Sequence, residues 1–295
     1  VDLFSSLTPL EGGWSGETFL AEAAGERSVV RIFADPRHSP HAAEIQEAVL
    51  RLVRGLVPVP QVKEVRRAEP EAGVPGLLVT ELVDGVRGDL VLPTLDDSGR
   101  AALGERLGRL AGTLAGMPQL AAGLFTDGSL AVDPLEVDLE DWVEEHEDRL
   151  HWSADELAAL RRAAGDAQAR LDEVGRVSLV HSDLNPKNVL VDPDSLEVTA
   201  LLDWEFAHAG NPYADLGNLL RFERDPAYVD GLLRGFTDLR GGDRDTARER
   251  ARCADLVALV ELAARKDANP VASRAHDQLL AIARTGDLHA TSSAS

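Results

Sequence analysis

Cysteine is almost absent from this chain: Cys253 stands alone, which excludes an internal disulfide and a cysteine-based zinc site. It is expected to be a small buried residue. Aromatic residues are scarce at 4%, and positive charge is short, with 30 lysines and arginines against 51 acids and a formal net charge of −21. Nucleic acid wants a basic patch to meet its phosphates, so that class of partner is excluded. No apolar run reaches the length of a membrane span and no secretory signal is visible, so a cytoplasmic protein with no membrane partner is expected. The G-x-x-x-x-G-K-S/T phosphate loop is missing, and so is any internal repeat. What remains is 295 residues, 44% of them apolar, enough for two lobes with cores of their own.

The most informative stretch is LVHSDLNPKNVLV, residues 179–191, followed by Asp203 in LLDWEF. Ser178–Val180 and Val189–Val191 are short, apolar and bounded by polar residues and a proline, so they read as buried strand ends. The loop 181–188 then carries its polar groups on one rigid support, stiffened by Pro186. Residues 198–202 read as a partner strand that delivers Asp203 to the same edge. Phosphoryl transfer asks for a base beside the nucleophile and for oxygen ligands on the metal that neutralises the phosphates. Asp183 suits the first role, and the oxygens of Asn188 and Asp203 suit Mg²⁺ in the second. Lys187 can steady a phosphate as a point charge, and His181 reads as a structural residue that fixes the loop. Taken alone, an Asp in a turn is as well explained as a cap, and a D-x-x-x-x-N spacing arises by chance.

The company these residues keep decides the matter. HSDLNPKN (181–188) and LLDWEFAHAGNPYADLGNL (201–219) resemble the aminoglycoside phosphotransferase family, within the protein-kinase-like small-molecule kinases. The resemblance implies an α/β (α+β) bilobal protein-kinase-like fold, with a small β-rich N-terminal lobe and a larger helical C-terminal lobe. It implies Asp183 as catalytic base, Asn188 and Asp203 as metal ligands, and Asp215 as a buried brace for the catalytic loop. The DWE version at residues 203–205, and the lack of an APE-like segment, favour small-molecule kinases over protein kinases.

Residues 10–18, LEGGWSGET, suit a hairpin turn when read by themselves. The family carries a flexible glycine loop over ATP in this place, which makes Gly13, Ser15 and Gly16 nucleotide contacts. SVVRIF (28–33) is rich in β-branched residues and reads as a strand. Its Arg31 sits where a protein kinase has a phosphate-binding lysine, and arginine can grip phosphate through two donors. Residues 41–54 have helical spacing, and Glu47 is the acid expected to pair with Arg31, with Glu44 as competitor one turn earlier. Both also read as solvated helix positions. LLVTELV (77–83) reads as a buried strand leading into the link between lobes. By the resemblance, backbone groups from Glu81 to Val83 hold the adenine edge. The expected domains are 1–83, a nucleotide-binding lobe, and 84–295, a catalytic and substrate-binding lobe ending in a disordered tail at 290–295. Amphipathic helices are expected at 97–114, 154–171, 226–237 and 246–265.

The expected activity is ATP-dependent transfer of the γ-phosphate, with Mg²⁺ and with GTP as the alternative donor, to a hydroxyl of a small cationic molecule. An aminoglycoside or a capreomycin- or viomycin-type peptide heads the substrates, with resistance as the consequence. The rivals are a metabolic kinase for a sugar, choline-like or amino-alcohol substrate, and a nucleotide-binding pseudokinase. Residues 138–152 combine seven acids with two tryptophans where the family inserts substrate-contacting helices. Trp142, Glu145 and Asp148 are candidate contacts for an amine, as are Glu205 and Glu223 elsewhere. The segment reads equally as a solvated acidic helix with Trp142 packed inward. The protein is expected to work as a monomer or homodimer.

Overall fold

The structure, a computed structural model, describes residues 6–10, 18–23, 25–135 and 137–291. The glycine loop with Gly13, Ser15 and Gly16, and the last four residues of the expected tail, lie outside the described residues. Strands β1 (Ser6–Pro9), β2 (Thr18–Ala23), β3 (Glu26–Phe33), β4 (Val62–Arg66) and β5 (Gly76–Glu81) form one antiparallel sheet in the order β1-β2-β3-β5-β4. Helix α1 (Ala42–Val53) packs on it.

Strand alternation sorts the side chains of this sheet. Val30 and Val79 join Ala21 in a small cluster on one face, while Phe33 and Leu78 join the main core on the other. Arg31 shares the side of Phe33, two residues on, and its guanidinium carbon lies 5.5 Å from that ring centroid. In α1 the buried positions Ala43, Gln46, Val49, Leu50 and Val53 recur at helical spacing and form the stripe that meets the sheet.

Residues 82–85 link this sheet to the rest of the chain in irregular conformation. Gly85, at φ +151°, passes so close to the next layer that a Cβ there would lie 2.6 Å from Thr199 Oγ1. Beyond it come β6 (Val86–Arg87) and the short α2 (Gly88–Val91), then α3 (Asp97–Ala115), β7 (Gly123–Phe125), β8 (Val132–Pro134), α4 (Leu139–His146) and α5 (Ala154–Asp172). Next are β9 (Ser178–Val180), β10 (Val189–Val191), β11 (Val198–Leu201), β12 (His208–Gly210) and α6 (Ala214–Leu220). The chain closes with α7 (Pro226–Arg240), α8 (Arg244–Ala263) and α9 (Pro270–Thr285). The short strands make two small antiparallel sheets, β11-β10-β6 and β8-β7-β12-β9. A β-sheet lobe followed by a helical lobe is the kinase-like arrangement expected from the sequence.

Helices α3 and α7 cross at very short range. Gly104 and Gly108 of α3 lie against the α7 backbone, and Gly231 and Gly235 of α7 lie against the α3 backbone. Around this crossing Tyr228 is buried with Leu103, Leu107, Leu232 and Phe236, and these last four are each worth about 1.5–3 kcal/mol of apolar transfer. A second core joins α4, α5, α8 and α9 and holds the buried Cys253. Ala290 packs against that core, so the expected tail is anchored at its first residue. Helix α9 was not expected, although its signals are present: Asn269 caps it, Pro270 opens it, and Gly286 closes it at φ +71°. No helix among the described residues is long and apolar enough to cross a membrane.

Candidate active site

The site grows from the two small sheets. Antiparallel pairing of β10 with β11 sets Val189 opposite Leu201, and Leu202 N donates to Asn188 O at 2.8 Å. Asn188 and Asp203 therefore end neighbouring strands side by side. Asp203 takes the left-handed backbone at φ +63°, as does Ser182 at φ +73° in the facing loop. Such conformations cost non-glycine residues on the order of 1–3 kcal/mol and need surroundings that hold them.

The holding groups are visible. Asp215, buried at the start of α6, accepts from His181 N and Ser182 N, both at 2.9 Å. His181 is fully buried; its Nε2 donates to Leu202 O at 2.9 Å, and its Nδ1 accepts from Asp183 N at 3.3 Å. That pattern requires the neutral ring, and burial lowers its pKa to about 4. Burial raises the Asp215 carboxyl to about 6, against the two backbone donors that favour the ion. Trp204 presses its ring edge-on to His181, with centroids 4.6 Å apart, and donates to Leu201 O at 3.1 Å. The tryptophan of the DWE triplet is thus core, placed to fix its acidic neighbours.

Asp183 lies between two amides. Asn185 Nδ2 donates to its Oδ1 at 2.8 Å, and Asn188 Nδ2 donates to its Oδ2 at 2.7 Å. Burial pushes the Asp183 carboxyl up, opposed by the Asn188 hydrogen bond. The donor set fits a hard cation: Asn188 spends its amide N–H groups on Asp183, leaving Oδ1, and the Asp203 side chain keeps 38% exposure. Asn185 was missed at the sequence level, although N-P after the base signals an Asx turn, which its Oδ1 closes on Lys187 N at 3.0 Å. Lys187 itself is half-buried on the turn Pro186–Asn188.

Arg31 reaches this edge from β3. Its Nη1 lies 2.6 Å from Asp203 Oδ1, and its Nη2 is bonded to Glu205 Oε2. The expected partner Glu47 instead pairs with Arg51 at 2.6 Å, one helical turn on. Glu44 is held by His41 and Arg67. The DWE segment presents two carboxylates directly under the strand, so it outcompetes α1 for the guanidinium. Burial raises the Glu205 carboxyl although Arg31 pulls it down. In the link, Glu81 N donates to Gln61 O and its carboxylate accepts from Gln61 N, both at 2.9 Å, so the amide of Glu81 is committed. Val83 follows in the irregular stretch.

The remaining candidates fall apart in space. Trp142 packs into the helical core, stacks at 4.3 Å on His146 and donates to Val257 O at 3.0 Å, while Glu145 and Asp148 are exposed. Segment 138–152 is thus the solvated acidic helix with its tryptophan turned inward. Glu223, half-buried, stands among arginines.

The family model for the phosphotransferase enzyme family (APH) matches residues 6–256. Acyl-CoA dehydrogenase family member 10 of Mus musculus is 25% identical over 237 residues, which are 79% of this chain and 22% of that protein. The chain therefore spans about a fifth of that relative's length. The aminoglycoside 3'-phosphotransferase of Streptomyces fradiae is 29% identical over 199 residues, 64% of this chain and 68% of that one. Two solved structures share the fold. The GDP complex of aminoglycoside 2'-phosphotransferase-IIIa matches with a TM-score of 0.69 at 17% identity, covering 96% of this chain and 93% of that one. A microcompartment-associated aminopropanol kinase matches with a TM-score of 0.67 at 22% identity, covering 95% and 91%. From the first strand of the sheet into α8, the chain belongs to the phosphotransferase enzyme family.

Proposed function

We propose that the protein transfers the γ-phosphate of ATP to a hydroxyl of a small molecule, with Asp183 as the base. The observation that carries this reading is Asp183 itself, half-buried and fixed by Asn185 and Asn188 with its carboxyl raised toward proton-accepting strength. The acceptor hydroxyl gives its proton to Asp183 as its oxygen bonds to the γ-phosphorus; the bridging P–O bond breaks and ADP leaves. Arg31 and Lys187 hold phosphate oxygens, and Gly13, Ser15 and Gly16, outside the described residues, are the further nucleotide contacts that the resemblance implies. Val83 and its neighbours receive the adenine edge. Asn188 and Asp203 would hold Mg²⁺, which neutralises charge on the phosphates when bound. GTP is the alternative donor, in line with the GDP complex of a relative of the same fold.

Two acceptor classes remain. A cationic antibiotic, with resistance as the consequence, is supported by the aminoglycoside phosphotransferases among the relatives. A hydroxylated metabolite is supported by the aminopropanol kinase among the proteins of the same fold. A mass-spectrometric screen with ATP and Mg²⁺ against aminoglycosides, cyclic basic peptides and metabolites separates them. The D183N variant should lose turnover by about 10²–10⁴-fold. Undiminished turnover in D183N would remove Asp183 from the base role.

A further inference from the structure

A chain with 51 acids and 30 bases gathers five arginines in one place beside the catalytic loop. Arg221 and Arg224 lie in the link between α6 and α7, Arg248 and Arg252 one turn apart on α8, and Arg274 on α9. Asp255 and Glu223 are the acids that bear most on Arg224. Asp255 is fully engaged by Arg221, which meets its Oδ1 through Nε at 2.9 Å and through Nη2 at 2.6 Å. Arg221 also bonds Asn218 Oδ1, and Asn218 Nδ2 donates to Ser182 O at 2.7 Å, one residue before Asp183. The cluster therefore begins at the base.

The other guanidiniums are left short of partners. Arg224 spends Nη1 on the carbonyls of Leu220, Arg221 and Glu223, at 2.8–3.1 Å, and its buried Nε and Nη2 have no partner among the described residues. Arg252, 2% exposed, spends Nη1 on Arg221 O at 3.3 Å, and its Nε and Nη2 are likewise without a partner. Arg248 Nε is a further orphan. Arg274 stacks at 4.6 Å on Phe222 and stands exposed at the rim. Buried donors of a charged group without an acceptor are costly, and like charges packed together add to the cost. Burial and the nearby Arg224 lower the pKa of Arg252 to about 10, which still leaves it charged at neutral pH. In both Arg224 and Arg252 the vacant donors are Nε and Nη2, the parallel edge that grips two oxygens of one carboxylate or phosphate.

We propose that the acceptor carries an oxoanionic group, a carboxylate or a phosphate, that docks on the Nε/Nη2 edges of Arg224 and Arg252 while its hydroxyl meets Asp183. The proposal rests on the kinase reading above and specifies its substrate: a small hydroxylated anion, in place of the cation expected from the resemblance.

The test has a binding arm and a turnover arm, both on the full chain. With AMP-PNP and magnesium saturating the nucleotide site, inorganic phosphate and 3-hydroxybutyrate are titrated and thermal stabilisation is read. R224Q should bind them at least tenfold more weakly than wild type, and R224K, which keeps the charge without the fork, should recover only part. R252Q serves in the same way should R224Q fail to fold. Turnover is then compared for matched acceptors: 3-hydroxybutyrate against its amide, glucose 6-phosphate against glucose, and an aminoglycoside. At least a tenfold preference in kcat/KM for the anionic mate is expected, lost in R224Q through KM, and the preferred pair tells carboxylate from phosphate. Equal anion affinity in wild type and both glutamine variants overturns the proposal, as does preference for the neutral or cationic acceptor. Anion binding through Arg224 with no acceptor phosphorylated supports the anion site and removes the kinase reading instead.

Discussion

Arg31 Nη1 and Asp203 Oδ1 lie 2.6 Å apart, joining the sheet of the first lobe to the strand end that closes the catalytic edge. Glu205 holds the other amino group of the same guanidinium, so one arginine spans two carboxylates of the DWE triplet. On the proposed reading, a nucleotide would bring a phosphate for Arg31 and a cation for Asp203, each replacing the partner that the other loses.

Arg31→Ala should raise KM for ATP by about 10–100-fold, since a hydrogen bond to a charged group is worth roughly 1.5–3 kcal/mol. Glu205→Gln leaves Arg31 tethered at Asp203 alone and should give a smaller rise, with kcat little changed. Steady-state kinetics at varied ATP reads both. An unchanged KM in R31A takes Arg31 out of the nucleotide site.

His181 and Asp215 should oppose one another in the dependence of stability on pH. Burial lowers His181 from 6.5 to about 4, so the unfolded chain holds the extra proton between those values and stability is lost as pH falls through them. Burial raises Asp215 from 3.8 to about 6, so the folded chain holds the extra proton and stability is lost as pH rises through that window. The two slopes nearly cancel between pH 4 and 6. Asp215→Asn removes one of them, and its stability should fall on acidification more steeply than wild type, by up to about 1.4 kcal/mol per pH unit. Denaturant titrations across that range give the comparison; parallel curves would mean that the two groups are not set apart by burial.

The α3–α7 crossing should be intolerant of a single methyl group. A Cβ on Gly108 would lie 2.1 Å from Leu232 O, which is backbone and cannot swing aside. Gly108→Ala should cost about 1–3 kcal/mol through forced separation of the helices. A denaturation midpoint equal to wild type would show that the helices part without cost.

Much of this molecule could be read from contiguous residues. The strand ends Ser178–Val180 and Val189–Val191 form where expected, because short apolar runs between a proline and polar groups have few other uses. Helices α3, α5, α7 and α8 follow from apolar period, and their ends fall within a few residues of expectation. The position of Asp215 under the catalytic loop agrees with the resemblance and is explained by two backbone donors that need an acceptor. Helix α9 escaped because alanine fills much of its buried face, Ala272, Ala275 and Ala283, where a larger apolar residue would have marked the period.

What the sequence determined by itself is the candidate site's frame, since Asp183 and Asn188 lie five residues apart in the short loop between β9 and β10, and Asp203 follows β11, the strand that pairs with β10. What only the tertiary structure decided is who pairs with whom across the chain. Arg31 passes over Glu47, close in sequence, for Asp203 and Glu205 far along it, because strand β3 lies over the DWE turn. The acids of residues 138–152 read both as substrate contacts and as a solvated helix face, and the fold turns Glu145 and Asp148 to solvent because the helix buries its tryptophan and its apolar stripe. The arginines of α8, α9 and the α6–α7 link carry no local signal that marks them as a group, and helix packing brings them together. Charge is a property of position in space, and a linear sequence shows only how many charges there are to place.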